Sequence, residues 1–239
     1  MHRFRIASAA ALLFLAGIVV SGPAPTAAQS RYLPEGASGL AGFVHYGSHE
    51  AIIALAGDLS YSLAGKLAVG MTVGTASVQD EMGFYAGEDP KLLYYAPRVT
   101  LHFAPPPGSR SFGMTFGGGY EWQEFTHPDI AATGGELTAR GLIIDASVYR
   151  VLERTPSVDV FLDVTFRHNR SEVRGTTSTT STEVDNPTNS WGGGLALAFK
   201  QVMGNSTRAV VRPSIDITEG DLNFGISVGL VLATTRPEG

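Results

Sequence analysis

IALAGDLSYSLAGKLAVGMTVGTASV, residues 53–78, alternates between two kinds of side chain. In its first arm Ile53, Leu55, Leu59, Tyr61 and Leu63 share one parity, and Ala54, Ala56, Asp58, Ser60 and Ser62 the other. A break follows at Ala64-Gly65-Lys66. The second arm sets Leu67, Val69, Met71 and Val73 against Ala68, Gly70, Thr72 and Gly74. Successive side chains of a strand point to opposite faces, so the stretch reads as a hairpin with one apolar face and one small or polar face.

The same pattern recurs along the chain. Strands are expected over 39–46, 92–104, 111–125, 137–152, 158–169, 191–201, 207–217 and 224–232, about ten with the opening hairpin and eight as the smaller count. Segment 158–169 is the most regular, with Val158, Val160, Leu162, Val164 and Phe166 opposing Asp159, Phe161, Asp163, Thr165 and Arg167. Pro105, Pro106 and Pro107 end a strand because proline cannot donate to a ladder. Residues 170–189, rich in Ser and Thr, carry little apolar surface and read as a long mobile loop.

Composition narrows the class. The chain has 239 residues, 44% hydrophobic and only 16% charged, against about 25% charged for a soluble domain. A formal net charge of -5 argues against a nucleic-acid partner. With no cysteine and six scattered histidines, neither a disulfide framework nor a metal site is expected, and no cofactor is called for. Arg3 and Arg5 precede an apolar run, Ile6 to Val20, and small residues then lead to Ala28. This is a secretory signal pattern, with cleavage expected after Ala28. The organisation is then a signal peptide (1–28), a periplasmic leader (29–38), one β-domain (39–233) and a polar tail (234–239).

Alternation does not say which face is inside. A soluble lipocalin-like binding barrel would turn the apolar face inward. Three features favour the reverse. The other face is mostly Gly, Ala, Ser and Thr, as a crowded interior requires. Short breaks at Ala64, Pro105, Thr155 and Gly204 alternate with longer ones at Gln79, Thr126 and Arg170, as in outer-membrane barrels. Aromatics such as Tyr46, Tyr95, Phe103, Trp122 and Trp191 fall near strand ends on the apolar face, where interfacial girdles lie. The fold class is therefore an all-β, closed, antiparallel, up-and-down transmembrane barrel. In lipid only a helix or a closed barrel leaves no backbone group unpaired.

The hairpin LAGDLSYSLAGKLAVGMTVG and the last strand, NFGISVGLVL, resemble those of the small outer-membrane β-barrel (porin-like) proteins of Gram-negative bacteria. The resemblance covers roughly residues 39–232. It implies an outer-membrane location, surrounding outer-membrane lipid, and delivery by the barrel-assembly machinery. Many such proteins end on an aromatic residue, whereas this chain ends ATTRPEG.

Candidate chemistry is sparse. Eight charges fall on the small-residue face: Asp58, Arg98, Glu121, Asp145, Asp163, Arg167, Arg212 and Asp216. Arg98 with Asp58 or Glu121, and Arg167 or Arg212 with Asp145, Asp163 or Asp216, could pair across the lumen. They would form either a plug or the lining of a narrow pore, and ten strands lie near the filled end of the size range. Residues 166–171, FRHNRS, resemble the region around the His and Ser of outer-membrane lipid A deacylases. That resemblance implies a base at His168 and a nucleophile at Ser171. Their spacing of three puts them on opposite faces of a regular strand. The outer-membrane aspartyl-type proteases use acidic residues and a His at the outer rim; His127 with Asp129, and His49 with Glu50, could form rim pairs of that kind, although no local motif of that family is present. The reading is non-enzymatic: a structural barrel or a narrow passage for small solutes. A lipid-modifying hydrolase and a soluble binding barrel are the alternatives.

Overall fold

The alternating segments form ten strands: β1 (Gly39–His49), β2 (Ile52–Leu63), β3 (Leu67–Val78), β4 (Lys91–Phe103), β5 (Gly113–Thr126), β6 (Glu136–Arg154), β7 (Val158–Thr177), β8 (Thr180–Met203), β9 (Thr207–Thr218) and β10 (Asp221–Ala233). The computed structural model describes residues 29–33, 36–49, 52–78, 91–106, 111–127, 131–132, 135–177 and 180–234. Each strand pairs antiparallel with its sequence neighbours, and β1 closes on β10 from Gly39↔Ala233 to Ser48↔Phe224. The result is a closed up-and-down barrel. Among the described residues no helix is long and apolar enough to cross a membrane.

The opening hairpin pairs Leu63 with Leu67 across a tight turn. Ala64 (φ 49°) and Gly65 (φ 64°) are both left-handed there, and the Lys66 N–H donates to Leu63 O at 2.9 Å to close the three-residue turn. This turn, the β4–β5, β6–β7 and β8–β9 connections, and the outer ends of β1 and β10 share one end of the barrel, here the terminal end. A row of register partners starting at Gly39 passes Ser62, Ala68, Thr100, Gly117, Asp145, Arg167 and Gly192. It begins at the terminal end of β1 and reaches Thr218, at the opposite end of β9. That offset is the shear that tilts the strands and fixes which side chains meet across the lumen.

The apolar parity faces out. Val44, Leu59, Val69, Phe103, Phe166, Trp191, Ile217 and Phe224 are all exposed on the outer wall. The small parity faces in: Ala54, Ala56, Ala68, Ala76, Ala196 and Ala198 are buried. Toward the end opposite the termini, Tyr95, Tyr120 and Trp122 form a stacked outer group, with centroids 5.3 and 4.7 Å apart.

Two sequence expectations change. Residues 170–189 are not simply a loop: β7 runs on to Thr177 and β8 begins at Thr180, paired from Thr177↔Thr180 to Ser171↔Thr188 with a register shift between Ser171 and Val173. Threonine suits a pleated strand, and ladder hydrogen bonds supply what the side chains do not. The leader also departs from a polar extension outside the barrel. Gln29–Tyr32 form a single 3-10 turn, and Ser30, Arg31, Tyr32 and Leu33 are buried inside the terminal end of the lumen.

Candidate functional site

The buried side chains of the lumen fall into three layers. At the terminal end, Tyr32 and Leu33 of the leader join Ala41, Phe43, Tyr149, Phe161, Ala198, Val210 and Val231 in one apolar cluster. Tyr32 is 0% exposed and packs edge-on against Phe161 at 5.6 Å. At the other end Ile52, Ala54, Ala56, Ala76, Leu92, Tyr94, Phe125, Ala139 and Val173 form a second cluster. The charged side chains lie between the two.

The sequence places all eight charges on inward positions, and the structure pairs them more specifically than adjacency suggests. Arg98 is paired with Asp145. Asp163 holds two guanidinium groups. Arg212 Nε lies 3.3 Å from its Oδ2, and Arg31 Nη1 lies 2.5 Å from its Oδ1. Asp58 accepts a hydrogen bond from Thr72 at 3.0 Å. Glu121 accepts one from Gln123. Arg167 of β7 and Asp216 of β9 are separated in the lattice by Gly192 and Gly194 of β8. Sequence reasoning missed Arg31, because a single charge in a short non-periodic leader carries no sign of which wall it will meet.

Two glycines make room for this layer. A Cβ built on Gly117 would lie 2.8 Å from the Asp145 carboxylate, and one on Gly194 would collide with Asp216. Each glycine therefore sits beneath a neighbouring strand's carboxylate. Gly117→Val is expected to push Asp145 off Arg98 and to cost about 1–3 kcal/mol. The check is the urea midpoint of the refolded barrel, which should fall well below that of Gly118→Val. Gly118 faces outward, and its nearest neighbour would be Ile143 O at 3.7 Å.

Polar groups near the terminal end are also matched. His102 Nδ1 lies 2.7 Å from Gly65 O, and its Nε2 lies 2.7 Å from the Tyr149 hydroxyl. A carbonyl only accepts, so Nδ1 carries the proton and Nε2 accepts from Tyr149. His45 Nδ1 pairs with Ser227 Oγ at 2.8 Å. At the rim Asp159 sits 2.5 Å from Lys200 Nζ and 3.8 Å from Arg154 Nε.

The candidate catalytic pair of His168 and Ser171 does not assemble. Ser171 points into the lumen and is buried. His168 is on the outer wall, its ring 4.1 Å from that of Trp191. The register shift of β7 lies beyond Ser171, so it does not bring the two together. His127 is buried, while Asp129, Glu50 and the side chain of His49 lie outside the described residues. Among the described residues no three His, Cys, Asp or Glu side chains form a cluster able to hold a metal ion.

No family model matches the chain. No curated protein matches it either. Solved structures do. The translocator domain of the autotransporter NalP from Neisseria meningitidis aligns over 95% of this chain and 96% of its own, at 10% identity and a TM-score of 0.52. The beta domain of the Bordetella autotransporter BrkA aligns over 84% of this chain and 100% of its own, at 12% identity and a TM-score of 0.51. An outer-membrane channel from Pseudomonas putida F1 aligns over 84% and 96%, at 8% identity and a TM-score of 0.45. Identities this low speak to the fold. The chain shares with these two autotransporter domains the fold of a closed antiparallel β-barrel, here of ten strands with an apolar outer wall.

Proposed function

We propose that this protein is a structural outer-membrane barrel held shut by its own lumen, in which solute movement is confined to a narrow route past the charged layer. One observation carries the reading: an apolar cluster that includes the leader, a paired charged layer and a second apolar cluster follow one another along the lumen. A wide water channel needs a continuous polar path, and each apolar layer interrupts it. The outward band of Leu, Val, Ile and aromatic side chains supports residence in lipid. The opposed directions of His168 and Ser171 support a non-enzymatic role. Outer-membrane lipid and the barrel-assembly machinery are the partners such a barrel requires.

The narrow-passage side of the reading is favoured by a thin inner wall at Ala68, Gly70, Gly74 and Ala76 of β3 and at Gly192, Gly194, Ala196 and Ala198 of β8. The test is current through planar bilayers at fixed voltage. The wild-type barrel, shown to be folded by its faster migration on a gel when unboiled, is expected to give no steady open level. Brief, small steps altered by Arg98→Ala would mark the route through the charged layer. A large, continuously open conductance in the wild type would sink the proposal.

A further inference from the structure

We infer that the outer wall across β5 to β9 carries a binding site for a phosphate-bearing lipid of the outer leaflet. The inference rests on the proposed outer-membrane reading. The wall there is hollowed into a groove of about 910 Å³. Phe116, Phe166, Trp191 and Ile215 stand around it, and Ala146 and Gly193 line its floor. All six lie on the lipid-facing parity, and Phe166 and Trp191 are 61% and 69% exposed. A flat barrel wall offers lipid chains no preferred seat. A groove floored by small residues lets an acyl chain touch the backbone and the flanking rings at once, which multiplies weak dispersion contacts.

Charge complements the groove at one end. The outward row of β7 runs Val164, Phe166, His168, Arg170, Glu172 and Arg174, so arginine follows directly on the apolar wall. Arg140 of β6 is in register with Glu172 and lies diagonally across from Arg170. Its register partner on β5 is Trp122, of the outer aromatic group. Among the described residues neither Arg140 nor Arg170 is held in an ion pair. Of the carboxylates nearby, Glu172 is in register with Arg140, Glu124, in register with Thr138, lies one step further from the wall, and Glu219, after β9, lines the groove beside Trp191. Two guanidinium groups just beyond an aromatic girdle sit where lipid phosphates sit, and their fork geometry suits phosphate oxygens.

His168 joins the two: it lines the groove one outward position before Arg170, with its ring 4.1 Å from that of Trp191.

The test uses the full-length barrel purified in a neutral detergent. The probe is diphosphoryl lipid A, compared with the same lipid stripped of its phosphates, and binding is read by native mass spectrometry. The wild type is expected to hold one molecule of the phosphorylated probe, and inorganic phosphate at equal concentration is expected not to displace it. Arg140→Ser with Arg170→Ser should weaken retention about tenfold. Gly193→Leu should do so independently, by filling the groove. A Cβ there would lie 3.3 Å from Thr165 O and 3.9 Å from Phe166 Cδ1, so the carbonyl must give slightly, and the variant is used only where its faster unboiled migration shows that it is folded. Gly57→Leu, on an outward position of β2 with no atom within 4 Å of its Cβ, should leave retention unchanged. Equal binding of the stripped lipid, displacement by inorganic phosphate, or equal loss in Gly57→Leu would each overturn the site. Loss of the faster unboiled migration in the wild type would instead overturn the barrel reading itself.

Discussion

Replacing Asp163 with alanine is expected to cost about 3–5 kcal/mol of barrel stability. The side chain is 1% exposed and neutralises two buried guanidinium groups, Arg31 and Arg212. Without it, two cations face each other in a layer roofed and floored by apolar clusters, where water cannot replace the lost carboxylate. Urea titration of the refolded barrel, read by the loss of faster unboiled migration, measures the effect. Arg154→Ala is the reference. Its side chain is 62% exposed and lies 3.8 Å from Asp159, which keeps Lys200 at 2.5 Å, so that change should cost about 1 kcal/mol or less. Replacing Asp163, Arg31 and Arg212 together with Leu, Met and Met should recover most of the loss, because the penalty comes from uncompensated charge. Equal costs for Asp163→Ala and Arg154→Ala would mean that the lumen is wet at Asp163.

Tyr32→Ala is expected to release the leader. A fully buried aromatic truncated to alanine costs about 3–5 kcal/mol, and here that energy holds four residues rather than a whole domain. The remaining anchors are the Arg31–Asp163 pair, the 3.0 Å hydrogen bond from Ser62 to Ser30, and Leu33 against Gly39. Trypsin gives a direct readout, since it cuts after arginine and Arg31 is buried in the wild type. The folded wild type should resist cleavage at Arg31, whereas folded Tyr32→Ala should be cut there at a rate approaching that of an exposed chain. Wild-type cleavage at the same rate would show that the leader spends its time outside the barrel.

The barrel was legible because a period of two survives any tertiary context. Leu55, Leu59 and Val69 had to share a face, and the Gly, Ala and Ser opposite them excluded water as the medium beyond. The partners of the charges were not legible. Arg98 meets Asp145 because β4 and β6 flank β5, whose Gly119 and Gly117 put no side chain between them, and no local spacing encodes that. The leader was missed for a related reason: Ser30, Arg31, Tyr32 and Leu33 have no period, and their burial is decided by a cavity made of strands far along the chain. Residues 170–189 were misread because composition was weighed over β propensity. Serine and threonine signal a loop when counted, yet here they form paired strands. On the catalytic pair, the three-residue spacing of His168 and Ser171 did foretell their opposite directions.

The pairing of β1 with β10 also governs the order of assembly. Gly39 meets Ala233, so the last ladder joins segments separated by nearly the whole domain. Loop-closure entropy makes such a contact slow, and local hairpins such as β2–β3 form long before it. Arg31 can find its carboxylate only once β7 and β9 stand on the same wall, and Tyr32 needs Phe43 and Phe161 together. Capture of the leader is thus a late kinetic event. Protection of Arg31 during refolding therefore serves as a clock for completion, running behind any signal from the hairpins.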